Sequence, residues 1–515
     1  MFRINHEENY MLSKTISLGL QGISAGRVDI EVDIMRGLPG FTIVGLPDSV
    51  IRESRERIRA AIENSGYEFP PRNYIVNLAP AGFKKQGANF DLPVAMSVLK
   101  STEQIFCDIT KIPMVGELSL DGRVKSVRGV ISMVIALYRL GFRQMIVPHQ
   151  NRVEASAVEG IDIFPVENIS MAIDVFEGRA EPFARGGLPV KVQEYIHDFS
   201  DVKGQENAKR GLEIAAAGMH NILLYGAPGS GKTMLARRMP SIMPQLTKER
   251  SIETTMIHSA AGILPDNGML IEVPPFRAPH HTASEVALVG GGTNPGAGEV
   301  SLAHNGVLFL DEIVEFKNNV IQALRQPLED REVTVARAAG TVTFPADFML
   351  VAAGNPCQCG YLFDEDIECT CSQAKISQYY QKIAGPIIDR IDMELLVNRV
   401  PYRDLVDTGQ AESSAAIRER IMRAGEIQCA RSRDGSVSFN SRMSNREIKK
   451  HCRLDPDDEQ FLESAVKKMH ITARSFFKIL KVSRTIADLD NSVKIQRKHL
   501  LEAISYKNLN RNYRL

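Results

Sequence analysis

Tryptophan is absent from this 515-residue chain, aromatic residues make up 6% of it, and neither charge sign prevails, with 62 Lys plus Arg against 62 Asp plus Glu. A balanced chain has no global field drawing it to nucleic acid or to a membrane surface, so any contact with a polyanion must come from a local patch. No uninterrupted apolar run reaches bilayer-spanning length, and Met1-Phe-Arg-Ile-Asn-His-Glu-Glu-Asn-Tyr10 lacks the apolar core of a signal peptide. A cytoplasmic protein without a membrane partner is expected. The seven cysteines, an odd number, do not suggest a secreted disulfide framework. About three domains are expected at this length. Residues 1–11 read as an N-terminal extension, because Met11 offers an alternative start.

What the chain does have is Gly226-Ala227-Pro228-Gly229-Ser230-Gly231-Lys232-Thr233. Asn221-Ile-Leu-Leu-Tyr225 before it reads as a short buried strand and Met234-Leu-Ala-Arg-Arg-Met239 after it as a helix, the context a phosphate-binding loop requires. The glycines let the backbone curl until its N–H groups converge on a phosphate, and the helix N-terminus adds partial positive charge. Lys232 is expected to reach the β and γ oxygens of ATP, and Thr233 to hold Mg²⁺. Val307-Leu-Phe-Leu-Asp311-Glu312 reads as a second buried strand, ending in two carboxylates. Asp311 is placed to hold Mg²⁺ through its shell, and Glu312 to orient and deprotonate the attacking water. A third strand, Phe348-Met-Leu-Val-Ala-Ala353, runs into Gly354-Asn355-Pro356 and sets an amide where it can sense the γ-phosphate.

Residues 12–180 alternate apolar and polar positions over short runs, as in Val28-Asp-Ile-Glu-Val-Asp-Ile34, with helical spacing from Asp48 to Asn64. Val76-Asn-Leu-Ala-Pro80, Lys85-Gln-Gly-Ala-Asn-Phe-Asp-Leu-Pro93 and Val115-Gly-Glu-Leu-Ser-Leu-Asp-Gly-Arg-Val124 resemble the proteolytic domain of the Lon family. That family needs a serine activated by a lysine, yet Asn89 and Ile131 fall where the two would be. An amide is no activated hydroxyl and isoleucine is no base, so a non-catalytic platform is expected. Two prolines and a Gly-Gly pair mark residues 181–200 as a linker.

The order of strands, with Phe276-Arg-Ala-Pro-His-His-Thr-Ala-Ser284, Gly296-Ala-Gly-Glu-Val-Ser-Leu-Ala-His-Asn-Gly306 and Val482-Ser-Arg-Thr-Ile-Ala-Asp-Leu489, is similar to the Mg-chelatase-like AAA+ family. The likeness runs from about residue 12 to 508 and is strongest to the competence branch, which has the same inactive Lon-like front domain. It implies a multidomain α/β protein: a Lon-protease-like (ribosomal S5 domain 2-like) domain over 12–180, an AAA+ P-loop NTPase core with inserted β-hairpins over 201–398, and an α-helical lid over 399–515. By the same resemblance, Arg390 in Gly385-Pro-Ile-Ile-Asp-Arg390 is an arginine finger acting across a subunit interface; the alternative is a surface ion pair. Arg474, after a Thr472 N-cap, resembles the sensor-2 arginine of a lid that would carry it toward the phosphates, with Arg484 a competitor on the same helix. Two segments, 260–289 and 331–344, fit the hairpins this branch inserts. Arg337 near the second tip could grip a DNA phosphate without reading a base, or be a plain turn arginine.

Cys357-Gln-Cys359 and Cys369-Thr-Cys371 form C-x-C-x₉-C-x-C directly after Asn355-Pro356. Four thiolates suit tetrahedral structural Zn²⁺, although the one-residue spacing is narrower than usual, and free or redox-labile thiols are the alternative. His280 and His281 are adjacent and make a poor joint metal site, so structural or interface roles fit them better. Arg418, Arg420, Arg423, Arg431 and Arg433 lie on a solvated face or a basic stripe. Four helices follow Ser444: Asn445–Cys452, Pro456–Met469, Ala473–Leu489 and Val493–Tyr506. The resemblance implies a hexameric, ATP-driven DNA motor for branch migration or unwinding of recombination intermediates, as in natural transformation, with a recombinase or other recombination protein as a further partner. The alternative is a protein-remodelling or metal-chelatase-type ATPase.

Overall fold

The structure, a computed structural model, describes residues 12–184, 195–264, 269–292, 296–337, 340–364, 366–384, 387–401, 411–431 and 439–507. The expected N-terminal extension, half of the linker, Gly385 with Pro386, and Arg433 lie outside the described residues.

In the front part, β1 (Ser13–Gln21), β2 (Ser24–Met35), β3 (Gly40–Val44) and β4 (Asn73–Ala79) make a sheet of order β1-β2-β4-β3, antiparallel except for β3 against β4. Side chains alternate across a strand, so Val28, Ile30, Val32 and Ile34 of β2 turn into the core while Asp29, Glu31 and Asp33 turn away from it. Helices Ser54–Asn64 and Asp91–Ser101 cover the buried face with Ile58, Ile62, Met96 and Leu99. The helical stretch expected from Asp48 is divided at Glu53 into Ser49–Arg52 and Ser54–Asn64, the first turn capped by the Asp48 carboxylate accepting from Ile51 N–H at 2.9 Å. A second cluster around helix Val130–Arg139 backs the parallel pair β7 (Gln144–Pro148) with β8 (Asp162–Val166), whereas Leu118 and Val124 of the antiparallel pair β5 (Glu117–Leu118) with β6 (Val124–Lys125) pack into the same core as Ile58 and Met96.

The central sheet has the order β10-β13-β16-β9-β17, all parallel, from β9 (Ile222–Tyr225), β10 (Phe276–Arg277), β13 (Val307–Leu310), β16 (Met349–Gly354) and β17 (Met393–Leu396). Between β10 and β13 a short antiparallel pair forms from β11 (Gly290–Gly291) and β12 (Gly296–Ala297). Continuous apolar strands such as Ile222-Leu-Leu-Tyr225 are buried on both faces, the usual condition of a parallel sheet. Ile222, Leu224, Phe309, Val351 and Leu395 face one way, into a cluster shared with Ile479, Val482 and Ile486 of the C-terminal helices. Leu223, Leu308, Leu310 and Leu350 face the other way, against Val333, Val335 and Phe344 of the hairpin β14 (Glu332–Arg337) and β15 (Gly340–Pro345). Each aliphatic side chain so buried contributes roughly 1.5–3 kcal/mol relative to exposure, so the C-terminal helices and the hairpin are structural faces of the core.

The 331–344 segment is the expected hairpin. Among the described residues of 260–289 there is no hairpin: Phe276-Arg277 adds to the edge of the central sheet, with Phe276 stacked on Phe309 at 5.8 Å, and Glu285–Val289 is helical. The aromatic contact to the core sheet outweighs the turn signals around it. The four helices after Ser444 are present as Asn445–His451, Pro456–Lys468, Ala473–Leu489 and Arg497–Ser505. The last starts at a capping box between Gln496 and His499 instead of at Val493.

Front part and core meet at helix Lys248–Ala261. The Gly129 N–H donates to Ser259 Oγ at 2.9 Å, and that hydroxyl donates to Glu154 Oε2 at 2.7 Å. Glu154 is buried, which pushes its carboxyl above the usual range.

Candidate nucleotide site

The loop between β9 and helix Lys232–Arg237 has the curled form expected of Gly226 to Thr233. Gly231 caps the helix at φ +93°, a left-handed conformation that disfavours any side chain. The Lys232 ammonium donates to the carbonyls of Gly226 (2.8 Å) and Ala227 (3.0 Å) and to Asn355 Oδ1 (3.3 Å). Thr233 Oγ1 donates to Asp311 Oδ2 at 2.6 Å. Burial pushes the Lys232 ammonium below its ordinary range, while Asp311 and Glu312 act to raise it. Neighbouring parallel strands end together, so β9, β13 and β16 deliver Lys232 with Thr233, Asp311 with Glu312, and Asn355 to one edge of the sheet. Glu312 is exposed, in the left-handed region at φ +50°, and His281 Nδ1 lies 3.8 Å from its carboxylate.

Arg390 is at the other end of the same sheet. Its carbonyl accepts from Asn221 Nδ2 at 3.1 Å, and Asn221 precedes β9 whereas the phosphate loop follows it. At about 3.3 Å per residue, the five steps from Asn221 to Gly226 separate the two ends by about 16 Å. Arg390 Nη2 donates to Glu329 Oε1 at 2.7 Å, and Arg474 Nη2 donates to that same oxygen. The Arg474 guanidinium holds the Glu329 carboxyl below the usual range, assisted by Arg390. Arg474 thus does not lie over its own subunit's phosphate loop, contrary to the expectation for the lid. Lys478 and Thr485 of its helix bind Asp392 (3.1 Å) and His220 (2.8 Å), which fixes that helix along the strand-start edge. Together Arg331, Arg390, Arg442, Arg474, Lys478 and Lys481 line a cleft of about 330 Å³. The competitor Arg484 is buried against Asp488, a packing role.

The four sulfurs of Cys357, Cys359, Cys369 and Cys371 lie within 4.8 Å of one another. Three of the separations are 3.3, 3.5 and 3.6 Å, close to the ~3.8 Å that tetrahedral Zn–S bonds of about 2.3 Å impose. The donor set therefore fits Zn²⁺. Burial pushes the Cys357 thiol up to about 12. At Cys359 burial acts in the same direction, but hydrogen bonds, first among them the backbone N–H of Tyr361, bring it to about 6. Arg337 ends β14 opposite Gly340, at the hairpin end. Asn89 spends its amide on the Leu18 carbonyl at 2.6 Å, and Ile131 is fully buried. Three arginines of helix Ser414–Arg431 are absorbed internally, Arg420 pairing with Glu213 and Glu412, Arg431 with Asp488, and Arg418 donating to Ser241 O, while Arg423 is exposed.

The family description "Magnesium chelatase, subunit ChlI" matches residues 198–405, "Subunit ChlI of Mg-chelatase" residues 30–151, and "Magnesium chelatase, subunit ChlI C-terminal" residues 411–507. The uncharacterized protein YifB of Escherichia coli is 40% identical over 499 residues, 95% of this chain and 96% of that one. The competence protein ComM of Haemophilus influenzae is 39% identical over 506 residues, 96% and 97% of the two chains. This chain belongs to the Mg-chelatase ChlI-like family. The 38 kDa subunit of the Rhodobacter capsulatus magnesium chelatase is 25% identical over 177 residues, 31% of this chain and 51% of that one.

As a Mg-chelatase ChlI-like AAA ATPase, the chain is expected to hydrolyse ATP with Mg²⁺, for which the Lys232, Thr233 and Asp311 cluster provides. Sequence reasoning missed several residues that the ChlI-like fold brings into play. Glu329, the common partner of Arg390 and Arg474, sits in a helix with no motif of its own. His281, for which the sequence suggests a structural or interface role, has its Nδ1 3.8 Å from the Glu312 carboxylate. Gln205 donates to Asn398 O at 2.5 Å beside the loop. Gly204-Gln205 just ahead of a helix was the available signal for this last one.

Proposed function

We propose that the protein is an ATP hydrolase working as a ring, a hexamer in the simplest case, that turns ATP hydrolysis into movement on DNA and promotes branch migration or unwinding of recombination intermediates. The observation that carries this is the separation of Arg390 and Arg474 from their own phosphate loop by the length of the sheet. Cations so placed serve a triphosphate only when it is bound by a neighbouring subunit. Within one subunit, Lys232 and the loop amides hold the β and γ phosphates, Glu312 orients and deprotonates water, and Asn355 reports on the γ-phosphate through Lys232. Thr233 and Asp311 would hold Mg²⁺, which would supply charge neutralisation on the phosphate oxygens. Arg390, released from Glu329 toward the adjoining subunit, neutralises charge on the transferred phosphoryl group, with Arg474 beside it.

DNA as the substrate rests on two supports. One is full-length similarity to a competence protein. The other is the β14–β15 hairpin, whose end carries Arg337 and which packs directly on the core sheet, so that motion of the core reaches it. The front domain serves as a non-catalytic, Lon-like platform, as Asn89 and Ile131 lack the required chemistry. A metal-chelatase role has weaker support, because the chelatase subunit aligns with under a third of the chain. The test is strand exchange on a synthetic four-way junction with and without ATP. ATP-dependent exchange and DNA-stimulated turnover are expected; robust turnover indifferent to every nucleic acid would remove DNA from the proposal.

A further inference from the structure

The four-cysteine knuckle does more than close on itself. A cleft of about 580 Å³, a volume suited to a nucleotide, opens beside the phosphate loop. One wall comes from Gln205 and Ala227, another from Asn398 and Arg399 after β17, and a third from Phe363 and Asp364, which lie between the two halves of the cysteine set. Asp364 is the keystone of that third wall. Its side chain is 3% exposed; Oδ1 accepts from the N–H groups of Asp366 (3.1 Å) and Ile367 (3.0 Å), and Oδ2 pairs with Arg399 Nε at 3.1 Å. The Arg399 guanidinium also lies over the Tyr361 ring, 5.5 Å from its centre.

The knuckle presses on the phosphate loop as well. Gly360, at φ +89°, follows Cys359, and a Cβ there would come within 2.6 Å of the Pro228 ring. Cys357 is two residues from Asn355, whose amide binds Lys232. The cysteines thus tie together the γ-phosphate sensor, the back of the phosphate loop and one wall of the cleft. The described residues of 360–368 show a short turn and no core of their own, so cross-linking at both ends is what can hold Phe363 and Asp364 in position.

We propose that Zn²⁺ on Cys357, Cys359, Cys369 and Cys371 is a structural condition for nucleotide binding: it clamps the wall that covers the base and ribose of ATP, so that loss of the metal by chelation weakens ATP binding without unfolding the core. This rests on reading the loop as an ATP site.

The test uses the full chain, its zinc content measured by elemental analysis and its affinity for a fluorescent ATP analogue by titration. One zinc per chain is expected. Cys369→Ser with Cys371→Ser, or the wild type after chelation, should lose zinc and bind the analogue at least tenfold more weakly, with far-UV circular dichroism unchanged and affinity regained when Zn²⁺ is restored to the chelated wild type. Phe363→Ala should keep its zinc and still bind at least fivefold more weakly, separating the wall from the metal. Absence of zinc from the native protein, or an unchanged affinity after its removal, overturns the proposal while leaving the ATP site in place. Lys232→Ala provides the control: if the wild type binds the analogue no better than this variant does, the ATP reading itself fails.

Discussion

The proposed sharing of each ATP site between two subunits makes a quantitative prediction about mixed assemblies. Arg390 begins about 16 Å from its own phosphate loop along β9, more than twice the reach of an arginine side chain, so each subunit lends its arginine and borrows another. Arg390→Ala should bind ATP normally and lose roughly 10³-fold or more in turnover, the scale measured for arginine fingers. The Arg390 side chain is 15% exposed and its partner Glu329 44%, so the lost ion pair costs no more than about 1 kcal/mol, and Glu329 retains Arg474. Lys232→Ala should be inactive for the opposite reason, having an intact arginine and no grip on phosphate. Mixed one to one and assembled together, the two inactive variants should regain activity. An interface works when the loop comes from an Arg390→Ala subunit and the arginine from a Lys232→Ala subunit, and random assembly of a cyclic ring makes this about one interface in four. Steady-state phosphate release across a mixing series should therefore rise to about a quarter of wild-type turnover at equal proportions and fall away on both sides. A flat line at the level of the single variants, or an Arg390→Ala protein that hydrolyses ATP at wild-type rate, would refute the shared-site arrangement.

Other outcomes follow from single positions. Glu312→Gln keeps the shape of its site and removes the base, so it should bind ATP and slow hydrolysis by roughly 10²–10⁴-fold, as measured in single-turnover experiments. His220 and His258 are buried, and burial lowers both from the ordinary histidine value; the unfolded chain then takes up protons near pH 6.5 that the folded chain resists. Stability should accordingly fall as pH drops from about 6.5 toward 5, visible as a declining melting temperature; a melting temperature that is flat or rising over that range would count against the burial argument. Gly22, at φ +64°, turns β1 into β2 where an added Cβ would lie 2.2 Å from Val342 Cγ1 of the β15 hairpin strand. Gly22→Ala should therefore cost about 1–3 kcal/mol through overpacking and strain, read by denaturant titration.

How much of this was legible beforehand divides along the range of the interactions involved. Glycines around Lys232, an apolar run ending in Asp311-Glu312 and another ending at Asn355 state their own geometry, because strand, loop and helix are set by neighbours in sequence and parallel strands end at a common edge. The cysteine spacing pointed in the same way to the four thiols that the fold brings together. Arg474 shows the opposite: its helix and cap could be read from Thr472-Ala-Arg-Ser, but which end of the sheet it reaches depends on Lys478 meeting Asp392 and Thr485 meeting His220. Those contacts join residues 86 and 265 positions apart, and no local pattern encodes them. Glu329, His281 and Asp364 likewise acquire their roles from partners brought in by other strands. Residue order determined which groups could carry the chemistry; only three-dimensional packing, which sums many weak long-range contacts, decided that the phosphate loop and the two arginines stand at opposite ends of the sheet.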